Sequence, residues 1–280
     1  MLTRHIKCSI LLCVCYATAA IATASSDAPR MRMTPEQRFA ECSEAAMSGK
    51  GPELLNLGKC YEEGIGTPCN PNMAISCYRA AAKQGSGPGY SDLGRMLKQN
   101  PSLVAPGDPT PNQCFKTAAH LGDLFAMCEY ADILMDEGRK ANESKYIASD
   151  LDAQALYTQA IDLLKRAALR DYPTAQRRLA HFTGSSDAGK RAALNLLEKA
   201  AAQEDMNAQY ELAYCHECGI GCPKDPWLAL QEYLAVAARE GENKMAAIAA
   251  CKRLRSESAS PVPAKDRSPD RPPPRRPPPG

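Results

Sequence analysis

Leu57-Gly58-Lys59-Cys60-Tyr61-Glu62-Glu63-Gly64-Ile65-Gly66 recurs 155 residues downstream as Leu212-Ala213-Tyr214-Cys215-His216-Glu217-Cys218-Gly219-Ile220-Gly221. Each copy leads into a helical stretch that closes on paired alanines and a glycine. The first closes as Tyr78-Arg79-Ala80-Ala81-Ala82-Lys83-Gln84-Gly85, the second as Leu234-Ala235-Val236-Ala237-Ala238-Arg239-Glu240-Gly241. Internal repetition of this length decides architecture first, because each unit must bury its apolar face on a neighbour. It also moves the expected function from a catalytic pocket to an extended surface.

The paired alanines set the register at Ala81-Ala82, Ala118-Ala119, Ala167-Ala168, Ala201-Ala202 and Ala237-Ala238. In the first unit Leu54, Leu57, Gly58 and Tyr61 fall on one helical stripe, the spacing of a packed face. Gly64 and Gly66 supply the permissive backbone that ends this helix. Pro68 and Pro71 then lead to a second helix with Ala74, Tyr78 and Ala81 inward. The second unit sets Leu93-Gly94 opposite Phe115 to Ala119 and replaces the glycine turn by a proline-rich loop, Asn100 to Asn112. The third, Asp123 to Asp171, carries Tyr130, Ala131 and Leu134, then an insertion near Gly138–Ser149, then a helix with Tyr157, Leu163 and Ala167. The fourth spans roughly Tyr172–Asp205. The fifth spans Met206–Gly241, with Trp227 opening its second helix. A leading helix, Pro35–Ser48, and a final half-unit, Asn243–Arg253, read as caps over the terminal apolar faces.

The pattern Leu-Gly-x-x-Tyr-x-x-Gly-x-Gly, then Ala-x-x-x-Tyr-x-x-Ala-Ala-x-x-Gly, resembles the Sel-like repeat, a longer relative of the tetratricopeptide repeat. Units one and five match closely; two, three and four are degraded. The resemblance implies an all-α fold, a right-handed α-solenoid of about five helix-turn-helix repeats with terminal capping helices, over residues 35–254. It further implies that the first helices line a concave surface. By register that surface holds Lys59, Arg95, Asp132, His181 and Tyr214, with Glu62, Lys98, Met135 and Glu217 one turn on. These are the candidate partner-binding residues, and their mixed signs point to no single charged ligand.

The ends read differently. Residues 1–24 join Arg4 and Lys7 to an apolar run that finishes in Ala22-Thr23-Ala24, the build of a secretory signal peptide. The run is short and alanine-rich for a membrane span. Residues 25–34 form a linker. Residues 255–280 form a Pro/Arg-rich tail whose Pro272-Pro273-Pro274-Arg275-Arg276-Pro277-Pro278-Pro279 suits an extended, solvated chain or a ligand for an aromatic groove. Setting aside Arg4 and Lys7 leaves 32 basic against 32 acidic residues. A neutral chain without a basic stripe is a poor nucleic-acid binder, since phosphate neutralisation supplies most such affinity.

Removal of the leader takes Cys8, Cys13 and Cys15 with it. Ten cysteines remain: Cys42, Cys60, Cys69, Cys77, Cys114, Cys128, Cys215, Cys218, Cys222 and Cys251. An even number in an exported chain reads as a disulfide set. Cys60, Cys215 and Cys251 share a place in their first helices, Cys77 and Cys114 in their second, and Cys60–Cys77 is the expected first pair.

Cys215, His216, Cys218 and Cys222 have a spacing that zinc could use, but His216 takes the inward place of Tyr61 and export favours disulfides, so no metal is assigned. Some cysteine-rich secreted members of the resembled family are associated with penicillin binding and β-lactamase activity. This sequence has no Ser-x-x-Lys, no Gly-x-Ser-x-Gly and no phosphate-cradling glycine loop. The expectation is therefore a secreted or periplasmic, non-enzymatic scaffold. It binds a protein or peptide, needs no cofactor, and has no stable membrane span after leader removal. The alternative is a weakly penicillin-binding or β-lactamase-like envelope enzyme. Asn142-Glu143-Ser144 is a glycosylation acceptor sequence if the host is eukaryotic.

Overall fold

The computed structural model describes residues 33–143 and 150–259. The expected leader, most of the expected linker and tail, and Ser144 of the acceptor sequence lie outside them. Among the described residues the chain forms twelve α-helices, and the fold is an all-α helical repeat solenoid. It divides into two compact units, with the boundary along the chain after Phe182.

The first unit holds α1 (Pro35–Ala46), α2 (Gly51–Glu63), α3 (Pro71–Lys83), α4 (Gly87–Gln99), α5 (Pro111–His120), α6 (Leu124–Glu143), α7 (Asp150–Ala168) and α8 (Pro173–Ala180). Each packs on its chain neighbours, so the unit is a run of helix hairpins. Side chains start the helices where backbone N–H groups lack partners. Thr34 and Thr110 form capping boxes with Gln37 and Gln113, and Asn70 and Ser86 accept from Met73 and Gly89. Proline occupies the first turn of α1, α2, α3, α4, α5 and α8, where its missing N–H costs nothing.

The expected first hairpin is present residue for residue. Leu54, Leu57, Gly58 and Tyr61 are buried on α2, and Ala74, Tyr78 and Ala81 on α3. Gly64 ends α2 with φ 71°. Position 58 has no room for a side chain, because a Cβ there would stand 2.5 Å from the fully buried Tyr78 ring. The cap α1 is held by Phe39, whose ring meets Tyr61 edge-on at 5.4 Å.

The expected proline-rich loop is present, and one other segment departs from the sequence expectation. The proline-rich stretch after α4 contains a 3₁₀ turn, Pro101–Leu103, and is pinned by Asp108, which accepts two hydrogen bonds from Arg79 at 2.6 and 2.8 Å. The helix α6 continues past Gly138 to Glu143. Gly138 is buried inside α6, where its missing Cβ leaves room for the Tyr157 ring of α7, and Asp136 pairs with Arg139 and Lys140 on the exposed side.

The second unit holds α9 (Asp187–Ala202), α10 (Met206–Cys218), α11 (Pro226–Ala237) and α12 (Lys244–Ala259), again packed in chain order. Ser186, Asp205 and Asp225 cap the first three. Its core gathers Ala213, Ala229, Tyr233, Val236, Ala247, Ala250, Cys251 and Leu254. Gly219 ends α10 with φ 75°, the counterpart of Gly64.

Candidate protein-binding face

In the first unit, ionic contacts join one first helix to the next. Glu62 at the end of α2 accepts from the Tyr78 hydroxyl at 2.7 Å and from both terminal nitrogens of Arg95 on α4 at 2.5 and 2.8 Å. Arg95 also donates to Asp92 at 3.1 Å. Lys98, one turn on, reaches Glu129 of α6 at 3.2 Å and stands 5.9 Å over the Phe115 ring. Arg178 of α8 then bridges Glu129 at 3.2 Å and Asp132 at 2.8 Å. A polar ladder runs from α2 through α4 and α6 to α8.

The ladder is partly shielded, so its charges interact more strongly than fully exposed ones. The Arg95 guanidinium holds the Glu62 carboxyl below its ordinary value, although burial opposes this. The Tyr78 phenol is pushed up by burial and by Glu62, which keeps it a donor. Burial raises Asp92 in spite of Arg95 beside it. Nothing in this arrangement pairs a nucleophile with a base; it presents ordered charges at fixed spacing.

The second unit repeats the clasp. Glu217 at the end of α10 accepts from the Tyr233 hydroxyl at 3.0 Å and from Arg253 at 2.6 and 2.8 Å. Tyr233 follows Glu217 by 16 residues, as Tyr78 follows Glu62. The neighbouring pair has changed: Tyr61 and Cys77 become His216 and Glu232, and His216 Nδ1 lies 2.7 Å from a Glu232 oxygen. His216 is thus half-buried with an acidic partner, not packed in an apolar site.

The expected partner-binding residues divide accordingly. Lys59 is exposed, as are Lys98 at 64%, Asp132 at 52% and Tyr214 at 48%. Glu62, Arg95 and Glu217 are engaged in the clasps. Met135 is half-buried against the core of its unit, and His181 sits exposed at the C-cap of α8. Sequence reasoning missed Glu129 and Arg178, which lie in the degraded units. It also took Tyr78 as filler, although the repeated 16-residue spacing from Glu to Tyr was a usable signal.

All ten described cysteines carry free thiols in the structure. The Cys60 thiol is pushed up to about 11, by burial first and then by Cys42, which is also its hydrogen-bond partner. Burial raises Cys77 to about 12, and Cys60 adds to this. Cys60 thus lies between the expected partner Cys77 and the capping helix's Cys42. Cys69 and Cys218 are exposed. Among the described residues no three or more His, Cys, Asp or Glu side chains form a group able to hold a metal ion. No helix among them is long and apolar enough to cross a membrane.

Comparison with known proteins places these hairpins. The Sel1 repeat model matches residues 54–86, 153–172, 173–205 and 207–241. A Sel1 repeat protein from Oxalobacter formigenes superposes with a TM-score of 0.59 at 18% identity, over 81% of this chain and 90% of that one. A protective antigen of uropathogenic Escherichia coli with an SLR fold gives a TM-score of 0.46 at 17% identity over 81% of this chain, which spans 53% of the antigen's length. A sel1 repeat protein from Klebsiella pneumoniae subsp. pneumoniae gives 0.45 at 17% identity, over 78% of this chain and 99% of that one. No curated protein matches the chain.

Proposed function

Since this chain is a Sel-like repeat protein, of a family whose members typically act as protein–protein interaction scaffolds, we propose that it binds a segment of a protein partner on the first-helix face of its first unit. The observation that carries this reading is the ladder from Glu62 to Arg178, which joins four successive first helices through ion pairs. Side chains already ordered by one another lose little freedom on binding, so less of the contact energy goes into ordering them. Lys59, Lys98 and Asp132 supply the exposed contacts there, with Met135 and His181 at their margin. Glu62 and Arg95 hold the face in shape. In the second unit, taken by itself, Tyr214 offers an amphipathic contact beside the Glu217 clasp.

The alternation of sign selects a partner of complementary alternating charge, consistent with a chain whose overall charge is near neutral. We further propose export to a secretory or periplasmic space, on the basic start, apolar run and small residues of the first 24 positions. There Cys42, Cys60 and Cys77 are the first candidates for oxidation. Non-reducing peptide mapping of exported protein tests this: ten reduced cysteines would overturn export to an oxidising compartment.

The binding reading is tested by capturing the partner on tagged protein and measuring its affinity for Lys98→Glu, Asp132→Lys and Lys116→Glu. Lys116 lies exposed on the second helix α5. Loss of affinity by about tenfold for the first two and none for the third is expected. Equal affinities for all three would refute the assignment of the face. Far-UV circular dichroism of the three variants checks that a change in affinity does not come from a loss of fold.

A further inference from the structure

The helix α11 is apolar on both sides. Ala229, Tyr233 and Val236 are buried, while Trp227, Leu228 and Leu234 face solvent at 71%, 37% and 40% exposure, with Gln231, Ala235 and Ala238 among them. Trp227, Gln231 and Leu234 recur at helical spacing on one outer stripe. That stripe carries no charge; Lys224 and Asp225 precede it, and Asp225 caps the helix by accepting from the N–H groups of Trp227 and Leu228. A large exposed indole beside leucines on a helix's outer face calls for an occupant.

The geometry points to the chain's own tail as that occupant. Six residues link α11 to α12, and the two helices pack as a hairpin. Tyr233 of α11 and Arg253 of α12 both reach Glu217, which fixes their relative level. Trp227 stands six residues before Tyr233 and Ala259 six residues after Arg253, each about 9 Å along its helix. The chain therefore leaves α12 level with Trp227. The 21 residues that follow, 260–280, include nine prolines.

We propose that Pro272–Pro279 docks on the Trp227–Leu234 stripe of the same molecule. Twelve residues separate Ala259 from Pro272, and a flexible chain of that length reaches about 20 Å, close to the length of α11. Proline-rich segments favour the polyproline II helix, which binds aromatic-lined surfaces at low ordering cost. Arg275 and Arg276 match an uncharged stripe with an acid at its start: a guanidinium stacks on the face of the indole and pairs with Asp225. Tethering supplies a local concentration in the millimolar range, so a contact too weak to form between separate molecules is populated within one. This contact lies on a second helix and does not rest on the ladder of the first unit.

Trp227 is the chain's only tryptophan, so its fluorescence reports the contact directly. The full chain is compared with two full-length variants. In one, the six prolines of 272–279 are replaced by glycine. In the other, Leu234→Asp spoils the stripe and leaves the tail intact. Both variants should shift the emission to the red and raise quenching by acrylamide about twofold, as uncovering half of a shielded ring implies. Unchanged far-UV circular dichroism establishes that the fold is intact, and the proline variant, altered only beyond the described residues, keeps the test valid if Leu234→Asp unfolds. Equal emission and quenching in the full chain and the proline variant would overturn the proposal. Protection that fades on dilution would overturn it too, in favour of a tail from a second copy.

Discussion

Glu62 and Glu217 hold the same post in different units. Each ends a first helix, accepts a phenol from the second helix of its hairpin, and draws in an arginine from the next helix. Glu62→Gln should lower stability by about 1–2 kcal/mol, and Tyr78→Phe by about 1, in urea denaturation at neutral pH. The pH dependence has a defined sign. Because Arg95 holds the Glu62 carboxyl below its ordinary value of 4.5, its contribution is complete above that value. It is lost as pH falls through the lower folded value, and Glu62→Gln should lack that component of acid destabilisation. Gly58→Ala should cost about 1–3 kcal/mol, because the new methyl meets the buried Tyr78 ring. The thiols give a further prediction. In reduced native protein Cys69 and Cys218, which are exposed, should alkylate first, while Cys60, Cys77, Cys114, Cys128 and Cys215 should wait for denaturant. Burial pushes these five up to about 11 or 12, so little thiolate forms at neutral pH. Mass spectrometry of the labelled peptides checks the order.

At the scale of elements, the recurring glycine turn is a docking device as well as a helix stop. A Cβ at Gly66 would lie 2.1 Å from the Pro35 carbonyl oxygen, and one at Gly221 would lie 2.4 Å from that of Lys190. The second glycine thus lets each turn rest against the start of the helix preceding its hairpin. With φ at 66° and 77° the backbone there also disfavours a side chain. Gly66→Ala should cost about 2–4 kcal/mol and loosen α1. Hydrogen exchange should show it as lost protection from Pro35 to Ala46, with α4 to α8 unchanged. The hairpins themselves were legible in the sequence, since Leu57, Tyr61, Tyr78 and the paired alanines follow a helical period. The end of α6 was not. Gly138 reads locally as a stop, and only the Tyr157 ring from α7 shows it to be a packing position.

At the scale of the whole molecule, the sequence carried the fold class and repeat order but only part of the face. Lys59, Lys98 and Asp132 were legible because register puts them on first helices. Glu129 and Arg178 were not, because an ion pair spanning 49 residues leaves no local pattern. Near-neutral overall charge leaves recognition to pattern and shape, and the ladder of alternating sign is where pattern is most ordered. The most direct test is photo-crosslinking. A crosslinking residue is placed at Lys59, Lys98 or Asp132 on the first-helix face, or at Lys116 on α5, and the adducts are sequenced. Adducts from the first three positions should converge on one segment of one partner, with none from Lys116. Adducts from Lys116 alone, or a partner still bound yet never crosslinked from the ladder, would contradict the account.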